Sequence, residues 1–312
     1  MNDRLKTNVG SVELRNPILL ASGIVANGKE YSEIIDFSRI GGIVTKTITI
    51  DERIGNKPPR LWETDAGMLN SIGLENEGFD NFIEKNHDFL KRLDCAVILS
   101  IAGSTDDDFI RLAEKVDNLD FPAAIEANFS CPNVSQGGIS YGTSIDGCYD
   151  TVKQLKGVIT NKPLWVKLSP QVADIGMIAF SAKKAGADAI TAINTVPALE
   201  IDAETLKPRL GNIIGGLSGT AIRPIALKAI YDIVKRLKGF PLVGIGGIIE
   251  PEDTVKFISL GAQAVQIGSG LFGNPELPYQ TIDFLLEYFD RHDYKDINEI
   301  CGDFWRKNGL EE

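Results

Sequence analysis

The chain has 312 residues, 43% hydrophobic and 24% charged, ordinary proportions for a globular protein. Its formal charge of −11 speaks against binding a phosphate backbone, so no nucleic acid is expected as partner. Four cysteines without a C-x-x-C pair argue against a disulfide framework or a metal cluster, no run of about 18 apolar residues offers a membrane span, and the N-terminus lacks a signal-peptide pattern, so a cytoplasmic protein is expected.

In chain order, residues 9–14 read as a small hairpin suited to plugging a barrel floor. Short, nearly all-apolar runs follow at 18–22, 42–45, 97–101, 123–127, 164–167, 189–193, 242–245 and 264–267. Such runs are expected of parallel strands buried on both faces. Helical spacing marks 105–116, with Ser104 or Thr105 as N-cap before Asp106, Asp107 and Asp108. It also marks 222–237 and 251–260, the latter opened by Pro251. Eight strands alternating with helices predict an α/β chain folded as a (β/α)8 TIM barrel, with a doubly wound open sheet as the alternative. No linker divides the chain, so one domain over 1–312 is expected. Long loops are expected after strands 2, 4 and 6: residues 51–79, the glycine-rich stretch 137–142, and residues 194–220.

The predicted strand ends carry Ser22, Lys46, Ser100, Asn128, Lys167, Asn194, the pair Gly246-Gly247 and the pair Gly268-Ser269. Barrel active sites sit at that face, and the loops after strands seven and eight frequently hold a phosphate. Glycines there let backbone N–H groups approach an anion, although glycines also serve tight turns. Lys46 and Lys167 read either as solvated rim charges or as cations aimed at an anionic ligand. Asn70 lies in an otherwise apolar loop, Met68-Leu-Asn-Ser-Ile-Gly-Leu74, able to cover a flat ligand. The segment Asn128-Phe-Ser-Cys-Pro-Asn133 sets a thiol, Cys131, between two amides where a strand opens into a loop. That thiol is either an inert buried cysteine or a base. The chain has only two histidines, His87 in a predicted helix and His292 in a charged stretch. Both read as surface residues, so a general base has to be another residue type.

Seven motifs, in order and spread over essentially the whole chain, resemble the dihydroorotate dehydrogenase family of flavin enzymes in pyrimidine synthesis. They are Pro17-Ile-Leu-Leu-Ala-Ser-Gly23, Gly67-Met-Leu-Asn-Ser-Ile-Gly-Leu74, Asn128-Phe-Ser-Cys-Pro-Asn-Val134, Val166-Lys-Leu-Ser-Pro170, Ile193-Asn-Thr195, Gly215-Gly-Leu-Ser-Gly219 and Gly244-Ile-Gly-Gly247. The resemblance implies an FMN-containing barrel that oxidises (S)-dihydroorotate to orotate. The family's FMN positions fall on Ser22, Lys46, Thr47, Ser100, Asn128, Lys167, Ile193, Gly219, Gly246, Gly247, Gly268 and Ser269. Its substrate positions fall on Lys46, Asn70, Ser71, Ile72, Gly73, Leu74, Asn128, Asn133, Asn194 and Thr195. Cys131 matches the base that removes a proton from C5 while C6 gives a hydride to the flavin, and closure of the 137–142 loop would exclude water. Ser100 departs from the family, which usually has Asn there.

The resemblance also bears on the subclass. Membrane-linked members use Ser as base and carry an N-terminal extension, whereas this chain has Cys131 and reaches its first barrel strand early. The Asn194-Thr195 pair and the loop Gly137-Gly138…Tyr141-Gly142-Thr143 resemble the NAD-linked, B-type subclass. That implies a homodimer inside a heterotetramer, with a second subunit carrying FAD and a [2Fe-2S] cluster. A fumarate-linked enzyme, a dihydropyrimidine-reductase-like flavoenzyme, a transfer-RNA dihydrouridine synthase and an inactive assembly subunit are the rival readings. Asn133 and the 70–74 loop favour orotate, and the negative charge disfavours a polyanionic substrate.

Overall fold

The apolar runs satisfy two-sided burial by pairing edge to edge, in parallel, until no edge is left. The computed structural model describes residues 3–129 and 142–310. Its strands begin with β1 (Thr7–Val9), β2 (Val12–Leu14), β3 (Ile18–Leu20), β4 (Gly42–Val44), β5 (Leu61–Thr64), β6 (Gly67–Asn70) and β7 (Ala96–Ile101). They continue with β8 (Ala124–Asn128), β9 (Leu164–Leu168), β10 (Ala189–Ala192), β11 (Val196–Leu199), β12 (Ile214–Ser218), β13 (Leu242–Ile245) and β14 (Ala264–Ile267). Eight of them, β3, β4, β7, β8, β9, β10, β13 and β14, form a closed parallel barrel in which β14 returns to β3. The architecture is the expected TIM barrel and not an open doubly wound sheet.

Around the barrel lie α1 (Phe79–Lys91), α2 (Asp106–Asp117), α3 (Ile145–Val158), α4 (Ile175–Ala185), α5 (Arg223–Arg236), α6 (Pro251–Leu260), α7 (Gly270–Gly273) and α8 (Leu277–His292). Local chemistry fixes their starts. Thr105 caps α2 by accepting from the Asp108 N–H at 3.1 Å, with three aspartates in the first turn facing the positive helix end. Pro251 opens α6 behind a reciprocal Glu250–Asp253 capping box. Strict strand–helix alternation fails once: the connection from β3 to β4 holds only 3-10 turns, Lys29–Tyr31 and Phe37–Arg39. Gly23 and Gly28 both take positive φ there, and such backbone does not propagate a helix. Among the described residues, no helix is long and apolar enough to cross a membrane.

Two apolar cores result. The outer one lies between strands and helices and includes Ile43, Leu99, Phe109, Leu112, Ile125, Val152, Ile230 and Phe257. The inner one fills the lower half of the barrel, where Val9, Val12 and Leu14 of the β1–β2 hairpin meet Leu19, Val44, Ile98, Trp165 and Val243. The hairpin turns on two residues, Gly10 and Ser11, with Gly10 at φ +60°.

The segments expected as loops after the second and sixth barrel strands contain a second sheet. β5, β6, β12 and β11 pair antiparallel in that spatial order, although β6 and β12 are far apart in sequence. Leu69 sits at its centre, opposite both Trp62 and Leu217, and is buried. Glycine permits the close approach. A Cβ on Gly67 would lie 2.0 Å from the Ser218 carbonyl oxygen, so the two insertions are clasped backbone to backbone. The expected loop after the fourth barrel strand lies outside the described residues apart from Gly142, whose added Cβ would stand 2.7 Å from the Phe129 carbonyl oxygen.

Candidate active site at the barrel mouth

The predicted strand-end residues meet at one level. Thr47, just past β4, is their hub. Its Oγ1 lies 3.2 Å from Ser22 Oγ and 2.8 Å from Ser100 Oγ, and accepts from Asn128 Nδ2 at 3.3 Å. A hydroxyl has one proton and two acceptor sites, so Thr47 donates to one serine and accepts from the other and from the amide. Asn128 Oδ1 in turn accepts from Asn194 Nδ2 at 3.4 Å, and Asn194 Oδ1 accepts from the Thr195 N–H at 2.7 Å. A continuous polar arc thus runs from the end of β3 to the segment after β10. Ser100 is fully buried, and its side chain turns to Thr47, so the family's longer Asn is replaced by a hydroxyl inside the arc.

Lys167 lies on β9 directly across from Asn128 and is only 4% exposed. Its Nζ stands 3.7 Å from Glu126 Oε1 on β8, and the other carboxylate oxygen accepts from Gln266 Nε2 on β14 at 2.7 Å. Lys46 is half-buried, with its N–H bonded to the Ala26 carbonyl at 2.8 Å. Its charge reaches the loop beyond β6. The Glu75 carboxyl is held below the usual carboxylate range, chiefly by a hydrogen bond from Arg60, with Lys46 adding to the effect.

That loop is fixed from beneath. Asn70 Nδ2 donates to the Gly216 carbonyl at 3.2 Å. The buried Ser71 hydroxyl accepts from Asn56 Nδ2 at 2.9 Å and Asn212 Nδ2 at 3.3 Å. Ile72 accepts from the Asn56 N–H at 3.0 Å. Gly73 and Leu74 both have positive φ, which is strained for Leu74 and persists because its neighbours are tied down. Across the site, a Cβ on Gly216 would fall 2.0 Å from Thr195 Oγ1, so glycine there is what lets Thr195 sit against the second sheet.

The glycine pairs cluster at the opposite rim. Gly246 and Gly247 take φ +130° and +73°, and a Cβ on Gly247 would come within 2.6 Å of Arg223 Cβ. Gly268 faces open space, its nearest neighbour being Ala21 Cβ at 4.0 Å, and Ser269 precedes the short α7. Ile193 is buried with its N–H bonded to Ile245, and Gly219 packs against Gly67 at φ +96°. A bare-backbone cradle on one side of the mouth and a polar ledge with two lysines on the other fit a planar ring carrying an anionic tail.

Cys131 and Asn133 lie outside the described residues. The other three thiols are unsuited to base chemistry, since burial pushes Cys95 and Cys148 up to about 12 and Cys301 up to about 11. His87 sits on α1, its pKa raised by hydrogen bonds to Asp88 and then Asp120, and His292 ends α8 at the surface. Neither belongs to the barrel mouth. Glu126 and Gln266 escaped the sequence reading. The signal was available: a glutamate two residues before Asn128 in a strand shares its inward face.

Known proteins bear directly on this arrangement. A family model described as dihydroorotate dehydrogenase matches residues 4–288. The chain belongs to the dihydroorotate dehydrogenase family. A curated relative from Thermoanaerobacter sp. (strain X514), named dihydroorotate dehydrogenase B (NAD(+)), catalytic subunit, is 44% identical over 298 residues, covering 96% of this chain and 98% of the relative. One of the same name from Bacteroides thetaiotaomicron is 41% identical over the same length and shares. Among solved structures, the dihydroorotate dehydrogenase of Eimeria tenella, in complex with ferulenol, aligns with a TM-score of 0.81 and 21% identity over 98% of this chain and 89% of its own. That likeness is one of fold, and the barrel above is the shared element.

Proposed function

We propose that this chain is the catalytic subunit of an NAD-linked, B-type dihydroorotate dehydrogenase, one FMN-binding domain that oxidises dihydroorotate to orotate in pyrimidine biosynthesis. The observation that carries the reading is the polar arc from Ser22 to Thr195, flanked by Lys46 and Lys167 and faced by the glycine cradle. FMN, when bound, supplies a ring that accepts a hydride. The backbones of Gly246, Gly247, Gly268 and Ser269 hold its phosphate. Ser22, Lys46, Thr47, Ser100, Asn128, Lys167, Ile193 and Gly219 seat the rest.

The chain's own residues do the remaining work. Asn70, Asn128, Asn133 and Asn194 offer amides that donate to and accept from a pyrimidine ring, and Thr195 adds a hydroxyl. Lys46 opposes the substrate carboxylate, and residues 71–74 wall the pocket. Cys131 takes the C5 proton. The low charge of its loop sequence gives little help to a thiolate. Electrons leave to NAD through a partner subunit bearing FAD and a [2Fe-2S] cluster, in a heterotetramer built on a homodimer of this chain in the cytoplasm.

The test is anaerobic mixing of the purified FMN-loaded chain with dihydroorotate, followed by NAD, fumarate or a quinone offered separately. Bleaching of the flavin by dihydroorotate supports the substrate. Reoxidation by NAD only when an FAD and iron–sulfur partner is added supports the subclass. Rapid reoxidation by fumarate alone overturns the subclass, and a protein that takes up no FMN overturns the whole reading.

A further inference from the structure

The interior of a TIM barrel is normally filled by layers of branched apolar side chains. Here the layer beneath the mouth is polar. Glu126, Thr191 and Gln266 are all fully buried, each on a different strand. Glu126 Oε2 is held by Gln266 Nε2 at 2.7 Å, while Oε1 accepts no hydrogen bond among the described residues and faces Lys167 Nζ at 3.7 Å. Lys167 lies on the neighbouring strand, paired in register with Asn128. A carboxylate buried this deeply is costly unless it has a charge to answer.

We propose that Glu126 pairs with Lys167 and offsets its charge at the flavin site. This rests on the flavin reading above. The buried carboxylate holds the ammonium down at the strand end, and Gln266 fixes which oxygen faces it. The pair then presents the ring with a dipole in place of a bare cation. A ring that gains negative charge on accepting a hydride is stabilised by Lys167 and destabilised by Glu126. The consequence is a flavin that does not retain electrons too tightly to pass them to a weak oxidant such as NAD.

The test is an anaerobic redox titration of the FMN-loaded protein against a reference dye, in wild type, Glu126→Gln, Lys167→Met and the double variant. At a fixed potential, Glu126→Gln should raise the ratio of reduced to oxidised flavin about tenfold, about 30 mV for a two-electron couple. Lys167→Met should lower it by a similar factor. The double variant leaves no unpaired buried charge, so it keeps the test open if a single variant fails to fold. It should return to within about threefold of wild type, because the two opposed charges are of similar weight. A glutamate that merely stabilises the barrel would reduce flavin content and leave the ratio where it was. An unchanged or lowered ratio in Glu126→Gln, or a double variant as hard to reduce as Lys167→Met, overturns the proposal. Wild-type protein without flavin absorbance overturns the flavin reading instead, and that failure is seen before any variant is made.

Discussion

Thr47→Val removes one oxygen and keeps the shape, which makes it a clean probe of the arc. The hydroxyl has one good contact, 2.8 Å to Ser100 Oγ, and two longer ones at 3.2 and 3.3 Å. Losing the short bond costs about 1 kcal/mol, and stranding the fully buried Ser100 hydroxyl adds about 1–2 kcal/mol; the long contacts add little. The expected total is about 2–3 kcal/mol, on the order of a hundredfold in the folding equilibrium. Urea unfolding of the flavin-free protein, followed by tryptophan fluorescence, measures it. Ser100→Ala supplies the control: in the Thr47→Val background it should cost about 1 kcal/mol less than alone, because its partner is already gone. A Thr47→Val loss below about 0.5 kcal/mol, or strictly additive effects, would refute the claim that this hydroxyl organises the mouth.

Gly216→Ala drives a methyl against Thr195, so dihydroorotate KM should rise while FMN content holds, at a stability cost of about 1–3 kcal/mol; an unchanged KM would separate Thr195 from the substrate. Cys131→Ala should retain FMN and nearly abolish bleaching by dihydroorotate, and undiminished bleaching would remove that thiol from the reaction. Asp117 is nearly buried and accepts from the N–H groups of Thr160, Asn161 and Lys162; burial raises its pKa, but those bonds outweigh it and the net is below the usual carboxylate range. A depressed folded pKa stabilises at pH above about 4, the ordinary unfolded value, and that stability is lost as pH falls toward the folded pKa. Acid unfolding curves should therefore decline less steeply below about pH 4 in Asp117→Asn than in wild type; parallel curves would contradict it.

The barrel was legible because its strands are short, apolar and separated by long helical stretches; residues 242–245, 264–267 and 251–260 have the predicted limits. The strand-end residues followed from that register. The second sheet was not legible. Its strands are four or five residues long, β12 holds Gly215 and Gly216, β11 holds Pro197, and β6 pairs with a β12 that follows β10, across the barrel from β4. No local pattern encodes such a pairing. Glu126 was hidden differently: one charged residue in an apolar run looks like noise until the neighbouring strand places Lys167, and the opposite wall Gln266, beside it.

The β1–β2 hairpin has a consequence for traffic. With Val9, Val12 and Leu14 seated under Leu19 and Trp165, the tube is stoppered at its base. A small molecule bound at the mouth therefore enters and departs by the upper rim, where the clasped insertions stand. A docking protein that covers that rim would govern this exchange.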